Sequence, residues 1–333
     1  MKETGEHMAK YFFQRLISML FVLLAAIVLV FTLMEFASGD PVRSMLGENA
    51  TEEQQIALRE NLGLDRPYLE RLGSFIWDLL HGDLGESYRS RIPVFKEIMS
   101  RYPITLKLTF GSVALGILIG IPIGIISSVK QYSIFDRVFT GISLFGVSAP
   151  SFWIAMLLVL IFSVKLGWLP PTGTYSLKYW ILPVATMGLQ TSASIMRMTR
   201  SSILEIVRQD YVRTARAKGQ SEYKIILKHV LPNALIPILT TVGISICSFL
   251  GGSVLVETVF AMPGLGKFIL DSVNFKDYPC VLGGILWISL NCVVVTFIID
   301  MLYAIVDPRI KSVYGSKKPE KKSKTVHSAQ SEA

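Results

Sequence analysis

The residues LTFGSVALGILIGIPIGIISSV, from Leu108 to Val129, give the clearest indication of the fold class of this chain. They include no aspartate, glutamate, lysine, arginine or histidine from one end to the other. A helix of about 20 such residues crosses the hydrocarbon core of a bilayer, because each residue adds about 1.5 Å and the backbone hydrogen bonds close within the helix. We therefore predict a transmembrane helix here.

Further runs lack charged residues and histidine in the same way. They are Leu16–Met34, Val138–Val164, Tyr179–Met196, Val230–Val256 and Tyr278–Ile299. The whole chain is 51% hydrophobic and 17% charged, whereas soluble domains carry about 25% charged residues. The sequence predicts an all-α integral membrane protein with six transmembrane helices, of which Tyr179–Met196 is the shortest.

The first run raises the alternative of a cleaved secretory signal. Basic residues precede it, and the small residues Ala37, Ser38 and Gly39 follow it. Its uncharged core is longer than the roughly 7 to 15 residues of a cleaved signal. We interpret it as an uncleaved membrane anchor.

Lysine and arginine predict the orientation. The segment Arg197–His229 and the tail after Asp300 are rich in these residues, which collect on the cytoplasmic side of membrane proteins. An even number of helices then places the N-terminus in the cytoplasm as well. Orientation explains the net charge of +8 without nucleic-acid binding.

Changes of composition divide the chain into four parts. They are a cytoplasmic N-terminus with the first helix (1–34), an extracytoplasmic segment (35–107), a transmembrane domain of five helices (108–310) and a disordered cytoplasmic tail (311–333). Within the second part, Thr51–Gln54 matches a capping box that opens a helix ending near Gly63. Ile92–Lys107 is typical of an interfacial helix or of a solvated loop helix.

The source of energy for any transport is predicted to lie outside this chain. The apolar runs contain no ionisable residue to bind a driving ion. The histidines lie outside these runs, so no intramembrane nucleophile has a positioned base. The sequence contains no P-loop for ATP, and its three scattered cysteines indicate neither a metal site nor redox chemistry. We predict no catalytic residue and no metal ligand.

Small residues and prolines mark two features of the spans. Gly116, Gly120 and Gly124 repeat every four residues and predict close packing of another helix. Pro150 predicts a bend, because it cannot donate a backbone hydrogen bond. The residues Ser148, Pro150, Ser151 and Phe152 are candidates for lining a translocation path, with core packing as the alternative.

The basic loop RMTRSSILEIVRQDYVRTARAKGQSEYKIILKHVLPN, from Arg197 to Asn233, predicts a helix, a sharp turn and a second helix. We expect Asp210 to cap a helix from Tyr211 to Lys218, which Gly219 ends in a left-handed conformation. Ser221 would cap the second helix, which continues toward Pro232. The small residues Ala215 and Ala217 would let a partner protein approach closely. The alternative is a solvated basic hairpin without a partner.

Within this loop, DYVRTARAKGQSEYKIILKHVLPN resembles the coupling loop of binding-protein-dependent ABC importer permeases. That family has E-A-A, then Gly and, ten residues later, I-x-L-P. Its motif is matched here at Ala215, Gly219, Leu231 and Pro232. The segment R-T-A-R-A-K-G departs from E-A-A, but it is usual in the dipeptide, oligopeptide and nickel branch.

Other strings are similar to the same branch over about residues 10 to 311. They are GLDRPY at Gly63, GDLGESY at Gly82, PSFW at Pro150, LGWLPPTG at Leu166, ETVFAMPGLG at Glu257, DYP at Asp277 and DPRI at Asp307. The long segment after the first helix resembles the first of the branch's two permease subunits.

The resemblance implies a type I ABC importer transmembrane domain, in which a short helix of the loop (197–229) sits in a groove of a cytoplasmic ATPase. The coupling residues carried over are Asp210, Tyr211, Arg213, Thr214, Ala215, Arg216, Ala217, Lys218, Gly219, Leu231 and Pro232. The implied partners are a second, related permease in a heterodimer, two ATPases and an extracytoplasmic solute-binding protein. This chain would bind no cofactor, because ATP and magnesium belong to the ATPases.

The implied location is the plasma membrane of a bacterium or archaeon, and the implied substrates are short peptides. Nickel or a metal chelate is the alternative substrate within the family. A stand-alone channel or secondary carrier, and a scaffold protein without transport activity, are the alternatives of other classes.

Overall fold

The computed structural model describes residues 2–36, 40–47 and 50–306 of this chain. In these residues the regular structure is helical, apart from one antiparallel bridge between Glu86 and Pro93. The tail 311–333, which we predict to be disordered, lies outside the described residues.

The helices follow one another with short connections. In chain order they are α1 Lys2–Phe36, α2 Pro41–Leu46, α3 Glu52–Asn61, α4 Tyr68–Leu80, α5 Val94–Val129, α6 Ile134–Ser148, α7 Ser151–Leu158 with a π-helical extension Val159–Lys165, α8 Lys178–Ile206, α9 Asp210–Ala217, α10 Glu222–Ile225 with a π-helical extension Ile226–Val230, α11 Leu231–Gly252, α12 Val254–Val259, α13 Leu265–Asn274 and α14 Tyr278–Val306.

Within the described part of the chain, four helices are long and apolar enough to cross a membrane. They are Arg15–Phe36, Val94–Val129, Glu222–Gly252 and Tyr278–Tyr303. A fifth crossing results if the bent pair α6–α7 counts as one. The prediction of six spans exceeds this count by α8, which carries a polar surface but buries much of it against its neighbours.

Helix α8 lies parallel to α5, and the glycines of α5 set the distance between them. A Cβ added at Gly120 would lie 2.7 Å from the carbonyl oxygen of Ser192, and one at Gly124 would lie 2.7 Å from Cβ of Thr199. A Cβ at Gly116 would likewise meet a side chain of α8. The predicted packing face of α5 is therefore confirmed, and its partner is α8.

The two ends of the bundle carry different elements. At one end, which we call the α4 end, α2, α3 and α4 pack near the C-terminus of α1 and the N-terminus of α14. At the opposite end, the α9 end, the loop helices α9 and α10 follow α8. Arg15 of α1 pairs with Asp300 of α14, so the first and last of these helices meet again toward the α9 end.

The extracytoplasmic segment predicted from the sequence is partly as expected. The capping box is present, because Thr51 Oγ1 accepts from the Gln54 N–H and the Gln54 side chain accepts from the Thr51 N–H. The helix ends just before Gly63, whose φ is +62°. The segment Ile92–Lys107 is helical from Val94 onward and leads into the second apolar run. Its placement at the membrane interface stays a prediction.

Helix α5 runs without a break from Val94 into the second apolar run. The side chains of Val94 and Ile98 are fully buried in a cluster with Leu265 and Cys280. This burial against α13 and α14 holds the first turns of α5 inside the bundle, and the helix continues through Pro103.

The predicted span Val138–Val164 is broken at its centre. Helices α6 and α7 meet at an angle of 107°, and Pro150 begins the second helix without a side-chain cap. The bend leaves the carbonyl of Ala149 outside the helix, and the Gln190 side chain of α8 donates to it at 2.7 Å. This bend is the one expected at Pro150, with a polar residue of α8 satisfying the freed oxygen.

A buried carboxyl group lies between α12, α13 and α5. Glu257 has no exposed surface; its Oε1 accepts from Thr105 Oγ1 at 2.7 Å and from Ser253 Oγ at 2.8 Å, and its Oε2 accepts from the Lys267 N–H at 2.8 Å. Thr105 Oγ1 also accepts from the Leu265 N–H at 2.8 Å. Glu257 directly follows the apolar run Val230–Val256, where a charged residue would be expected to reach water, but these contacts bury it.

Candidate functional site

The basic loop forms the predicted helix, turn and helix, but its first cap differs from the prediction. Helix α9 starts at Asp210, and Gln209 is the N-cap residue in an extended conformation. No side chain caps the helix. The expectation that Asp210 caps α9 is therefore wrong: it lies inside the first turn, where its exposed carboxylate is 3.7 Å from Arg213.

The turn after α9 has the predicted glycine geometry. Gly219 has a φ of +77°, in the left-handed region. Its N–H donates to the carbonyl of Arg216 at 2.9 Å, and the Gln220 N–H donates to the carbonyl of Ala215 at 3.4 Å. A Cβ at Gly219 would meet no atom within 4 Å, so the backbone conformation alone favours glycine here.

Helix α9 has one face turned into the bundle. Val212 is fully buried and Ala215 is 8% exposed, and both belong to a cluster supplied mainly by α8 and α11. The other members are Val113, Ile195, Ile203, Ile225, Val230, Ala234, Ile238 and Val242. The prediction that Ala215 faces a partner is therefore wrong, because its small side chain fits against this chain's own core.

The opposite face of α9 is exposed. At 100° per residue, Asp210, Thr214 and Ala217 share a face opposite Val212. Of the other loop residues predicted to couple, Tyr211, Arg213, Arg216 and Lys218 are exposed as well. The small residue that can admit a close partner is therefore Ala217.

A charged contact holds the two loop helices together. The Arg216 guanidinium donates from Nε and from a terminal nitrogen to the two carboxylate oxygens of Glu222, at 2.6 and 3.1 Å. This fork lowers the pKa of Glu222, despite some burial that acts in the opposite direction. Gln220 and His229 add a second link at 2.9 Å.

The second loop helix runs directly into α11. Ser221 is the N-cap residue of α10, as predicted, but its side chain makes no capping hydrogen bond. The chain then makes a π-helical turn, in which the Leu231 N–H donates to the carbonyl of Ile226. Leu231 and Pro232 open α11, and Pro232 supplies no N–H to the turn before it.

A buried ion pair that we did not foresee lies below the loop. Asp136 of α6 is only 2% exposed, and Arg200 of α8 donates to its two oxygens at 2.7 and 2.8 Å. The Ser127 hydroxyl of α5 and the Tyr132 N–H donate to the same carboxylate. One carboxylate therefore joins three helices where α8 leaves the bundle.

The four candidates for the translocation path lie at the α6–α7 bend. Ser148 and Pro150 are exposed, Phe152 is 41% exposed and Ser151 is partly buried. The exposed residues lie at the surface of this single chain. Their role in a path stays a prediction.

The described residues offer no cluster of three or more histidine, cysteine, aspartate or glutamate side chains that could hold a metal ion. Cys247 and Cys292 face each other between α11 and α14, with each sulfur 3.7 Å from the other residue's carbonyl oxygen.

Comparison with known proteins agrees with this architecture. A family model described as the binding-protein-dependent transport system inner membrane component matches residues 120–312. A second model, for the N-terminal part of such membrane components, matches residues 8–109. Together the two models span both the segment between α1 and α5 and the helical domain.

Curated relatives match over nearly their whole length. The dipeptide transport system permease protein DppB of Alkalihalophilus pseudofirmus is 39% identical over 332 residues, which cover 91% of this chain and 100% of that protein. The glutathione transport system permease protein GsiC of Pectobacterium atrosepticum is 41% identical over 304 residues, which cover 91% and 99%.

Solved structures share the fold at lower identity. The inward-facing MetNI methionine ABC transporter aligns with a TM-score of 0.54 and 21% identity, over 64% of this chain and 97% of the other. An amino acid ABC transporter crystallised with histidines aligns with a TM-score of 0.51 and 18% identity, over 62% and 93%. The chain therefore belongs to the family of binding-protein-dependent transport system inner membrane components, in the branch of the DppB-type permeases.

Proposed function

We propose that this chain is a transmembrane subunit of an ATP-driven importer and forms one half of a translocation path for short peptides. The observation that carries the proposal is helix α9. Its inner face is anchored in the core by Val212 and Ala215, whereas its outer face, with Thr214 and Ala217, is exposed in the part of the chain that the structure describes. A protein docked on the outer face of such a helix could displace the helix together with the core residues packed under it.

The proposed topology has six crossings, with α8 as the crossing that composition alone does not reveal. Its contacts with α5, α6, α7 and α11 surround it with apolar helices, so its polar residues need not face lipid. The positive-inside rule then places the α9 end in the cytoplasm. The N-terminal part of α1 and the C-terminal part of α14 would also lie on the cytoplasmic side, since Arg15 and Asp300 pair toward the α9 end.

The proposed partners follow from the family. Two ATPases would dock in the cytoplasm, one on α9 and one on the corresponding helix of a second, related permease. A solute-binding protein would deliver the substrate on the extracytoplasmic side of a bacterial or archaeal plasma membrane. The exposed bend at Pro150 and Phe152 is available for the second permease or for the path between the two.

Peptides are the favoured substrate class. The relatives above are named for dipeptide and glutathione transport, and glutathione is itself a short peptide. A nickel or metal-chelate substrate is the alternative, but the described residues show no metal-binding cluster.

Coupling would pass from α9 to the spans through packed contacts. The core cluster under α9 includes Ile203 of α8 and Ile238 of α11, so movement of α9 would displace both helices. Helix α8 would carry α5 with it, because the glycine face leaves no space between their backbones. The structure thus offers a continuous set of contacts from the docking face to three crossings.

The test is a substitution at Gly219 in the complete importer reconstituted in vesicles. Gly219→Val places a β-branched residue at a left-handed position and is expected to separate ATP hydrolysis from peptide uptake. Gly219→Asn is the matched control, because asparagine tolerates this conformation. Equal uptake per ATP hydrolysed in the wild type and in both variants would contradict the coupling role of this turn.

A second variant tests the docking face itself. Ala217→Trp adds bulk to the exposed face of α9 without touching the core and should prevent assembly with the ATPases. Ser176→Trp, at an exposed position in the loop before α8, is the control and should assemble normally. Co-purification of the ATPases in undiminished amount with Ala217→Trp would count against docking on this face.

A further inference from the structure

Helix α4 has an apolar surface that this chain only partly covers. None of its residues is fully buried. Leu69 is 76% exposed, Trp77 is 64% exposed and Leu80 is 75% exposed. Large apolar side chains grouped on one exposed face usually mark a contact surface.

The apolar residues of α4 form one continuous sector. At 100° per residue, Tyr68, Leu72 and Phe75 lie on one side of this sector, and Leu69 and Leu80 lie next to them. The first three pack on α1 and α14 in a cluster with Val30, Phe31, Met34, Leu282 and Ile285. Of the other residues in the sector, Ile76 and Leu79 are partly buried, and Leu69 and Leu80 are exposed.

The polar residues occupy the remaining face. Glu70, Ser74 and Asp78 lie together and are exposed. Trp77 lies at the border between this face and the apolar sector. Tryptophan is enriched at the surface of a bilayer, where such a border would lie. A helix with one charged face and one broad apolar face is the form of an interfacial helix.

The contacts of α4 place it at the edge of the hydrocarbon. The Phe31 ring lies 5.8 Å from the Tyr68 ring and 5.6 Å from the Phe75 ring. Phe31 is five residues, or about 7.5 Å of helix, before Phe36, where the apolar helix α1 ends. An interfacial helix buries its apolar face about 5–10 Å into the boundary between headgroups and acyl chains, so the depths agree.

The exposed surface next to α4 is apolar as well. A shallow groove of about 530 Å³ runs along α1, and it is lined by Phe21, Leu24, Ala25, Val28, Leu29, Thr32 and Leu33. Thr32 Oγ1 lies 2.6 Å from the Tyr68 hydroxyl at the start of α4. The lipid-exposed surface of α1 and the N-terminus of α4 therefore meet at one contact.

From the continuity of these surfaces and from the depth of α4, we propose that the uncovered face of α4, with Leu69, Trp77 and Leu80, lies in the bilayer interface and binds phospholipid. The occupant is the lipid of the leaflet at the α4 end, with acyl chains against the leucines and headgroups near Glu70 and Asp78. Helix α4 thereby anchors the segment before α5 to the membrane surface.

Spin labels attached to single cysteines test this placement in the complete importer reconstituted in phospholipid vesicles. In a background without Cys247, Cys280 and Cys292, the apolar face is labelled through Leu69→Cys or Leu80→Cys. Labels on this face should collide more often with dissolved oxygen, which concentrates in lipid, than with a water-soluble nickel chelate.

The polar face supplies matched controls on the same helix. Labels at Ser74→Cys and Asp78→Cys should show the opposite ratio, with the nickel chelate more accessible. High nickel accessibility at the Leu69 and Leu80 positions would overturn the proposal, because the face would then be in water. Low accessibility to both reagents there would also overturn it, because a protein partner would then cover the face.

A single substitution in the otherwise unaltered chain gives an independent measurement. Brominated phospholipids quench tryptophan that lies in the bilayer. Trp77→Phe should reduce the quenched fraction of the total fluorescence if Trp77 contacts lipid. An unchanged quenched intensity in this variant would overturn the proposal even if the cysteine-free background failed to fold.

Discussion

Replacing Thr105 by valine should weaken the attachment of the α12–α13 segment to α5, and the structure gives the size of the effect. The Thr105 hydroxyl donates to Glu257 at 2.7 Å and accepts the Leu265 N–H at 2.8 Å. All three residues are fully buried, so no water can replace the lost oxygen. Valine has nearly the shape of threonine, and the change removes both hydrogen bonds while leaving the packing in place.

The expected loss follows from these two bonds. An unpaired, buried N–H at Leu265 costs about 1–3 kcal/mol, and the lost donor to Glu257 costs about 1 kcal/mol more. Ser253 still donates to the same carboxyl oxygen, so this oxygen is not left without a partner. We therefore expect Thr105→Val to lower the free energy of unfolding by about 2–4 kcal/mol.

Serine at position 105 is the matched control. Thr105→Ser keeps the hydroxyl and removes only a buried methyl group, for an expected loss of about 1 kcal/mol. Both variants would be unfolded in mixed micelles by increasing the fraction of denaturing detergent, with tryptophan fluorescence as the signal. Equal unfolding free energies for Thr105→Val and Thr105→Ser would refute the role assigned to this hydroxyl.

Three further predictions concern the helix contacts and the loop. Gly120→Ala should destabilise the bundle by about 1–3 kcal/mol in the same unfolding assay, because its Cβ would lie 2.7 Å from a carbonyl of α8, whereas Gly141→Ala meets no atom within 4 Å and should not. Asp210→Ala should leave the thermal unfolding of the chain nearly unchanged, since a true N-cap would cost about 1 kcal/mol and this side chain caps nothing; a clear loss would show that it does. The fork from Arg216 lowers the pKa of Glu222, so the stabilisation that this ion pair gives is present above the ordinary pKa of glutamate and is lost as the pH falls through the lowered value. Over that acidic pH range, hydrogen exchange of α9, corrected for intrinsic rates, should rise in the wild type but not in Glu222→Gln.

The predictions that the structure confirms rest on local sequence patterns and on regular spacings. The glycine face of α5 has a fixed spacing, the capping box at Thr51 involves residues three apart, and Gly219 ends its helix through its own backbone. Each of these features depends on a few neighbouring residues. Such patterns can be read along the chain without knowledge of the tertiary structure.

The features that sequence reasoning missed depend on distant residues. Glu257 is buried because Thr105, 152 positions away, donates to it. Arg200 is held by Asp136, 64 positions away. A charged side chain at the edge of an apolar run predicts exposure unless its partner is known, and no local pattern names that partner.

The loop shows the same limit at closer range. Ala215 and Ala217 are both small residues on one short helix, and composition does not distinguish the face turned inward from the face turned outward. The distinction comes from the cluster beneath α9, to which Val212 also belongs. Helix α8 shows a related limit. Other helices cover it, so it can carry polar residues such as Gln190 within the bundle.

The even spacing of Gly116, Gly120 and Gly124 has a consequence for the register of α5 and α8. Sliding α5 by four residues, or about 6 Å, would bring one glycine to the place of the next, so the spacing of the glycines alone does not distinguish these alignments. The carboxylate of Asp136 joins Arg200 of α8 to Ser127 of α5 in the observed alignment. This ion pair therefore favours the observed alignment over those one glycine step away.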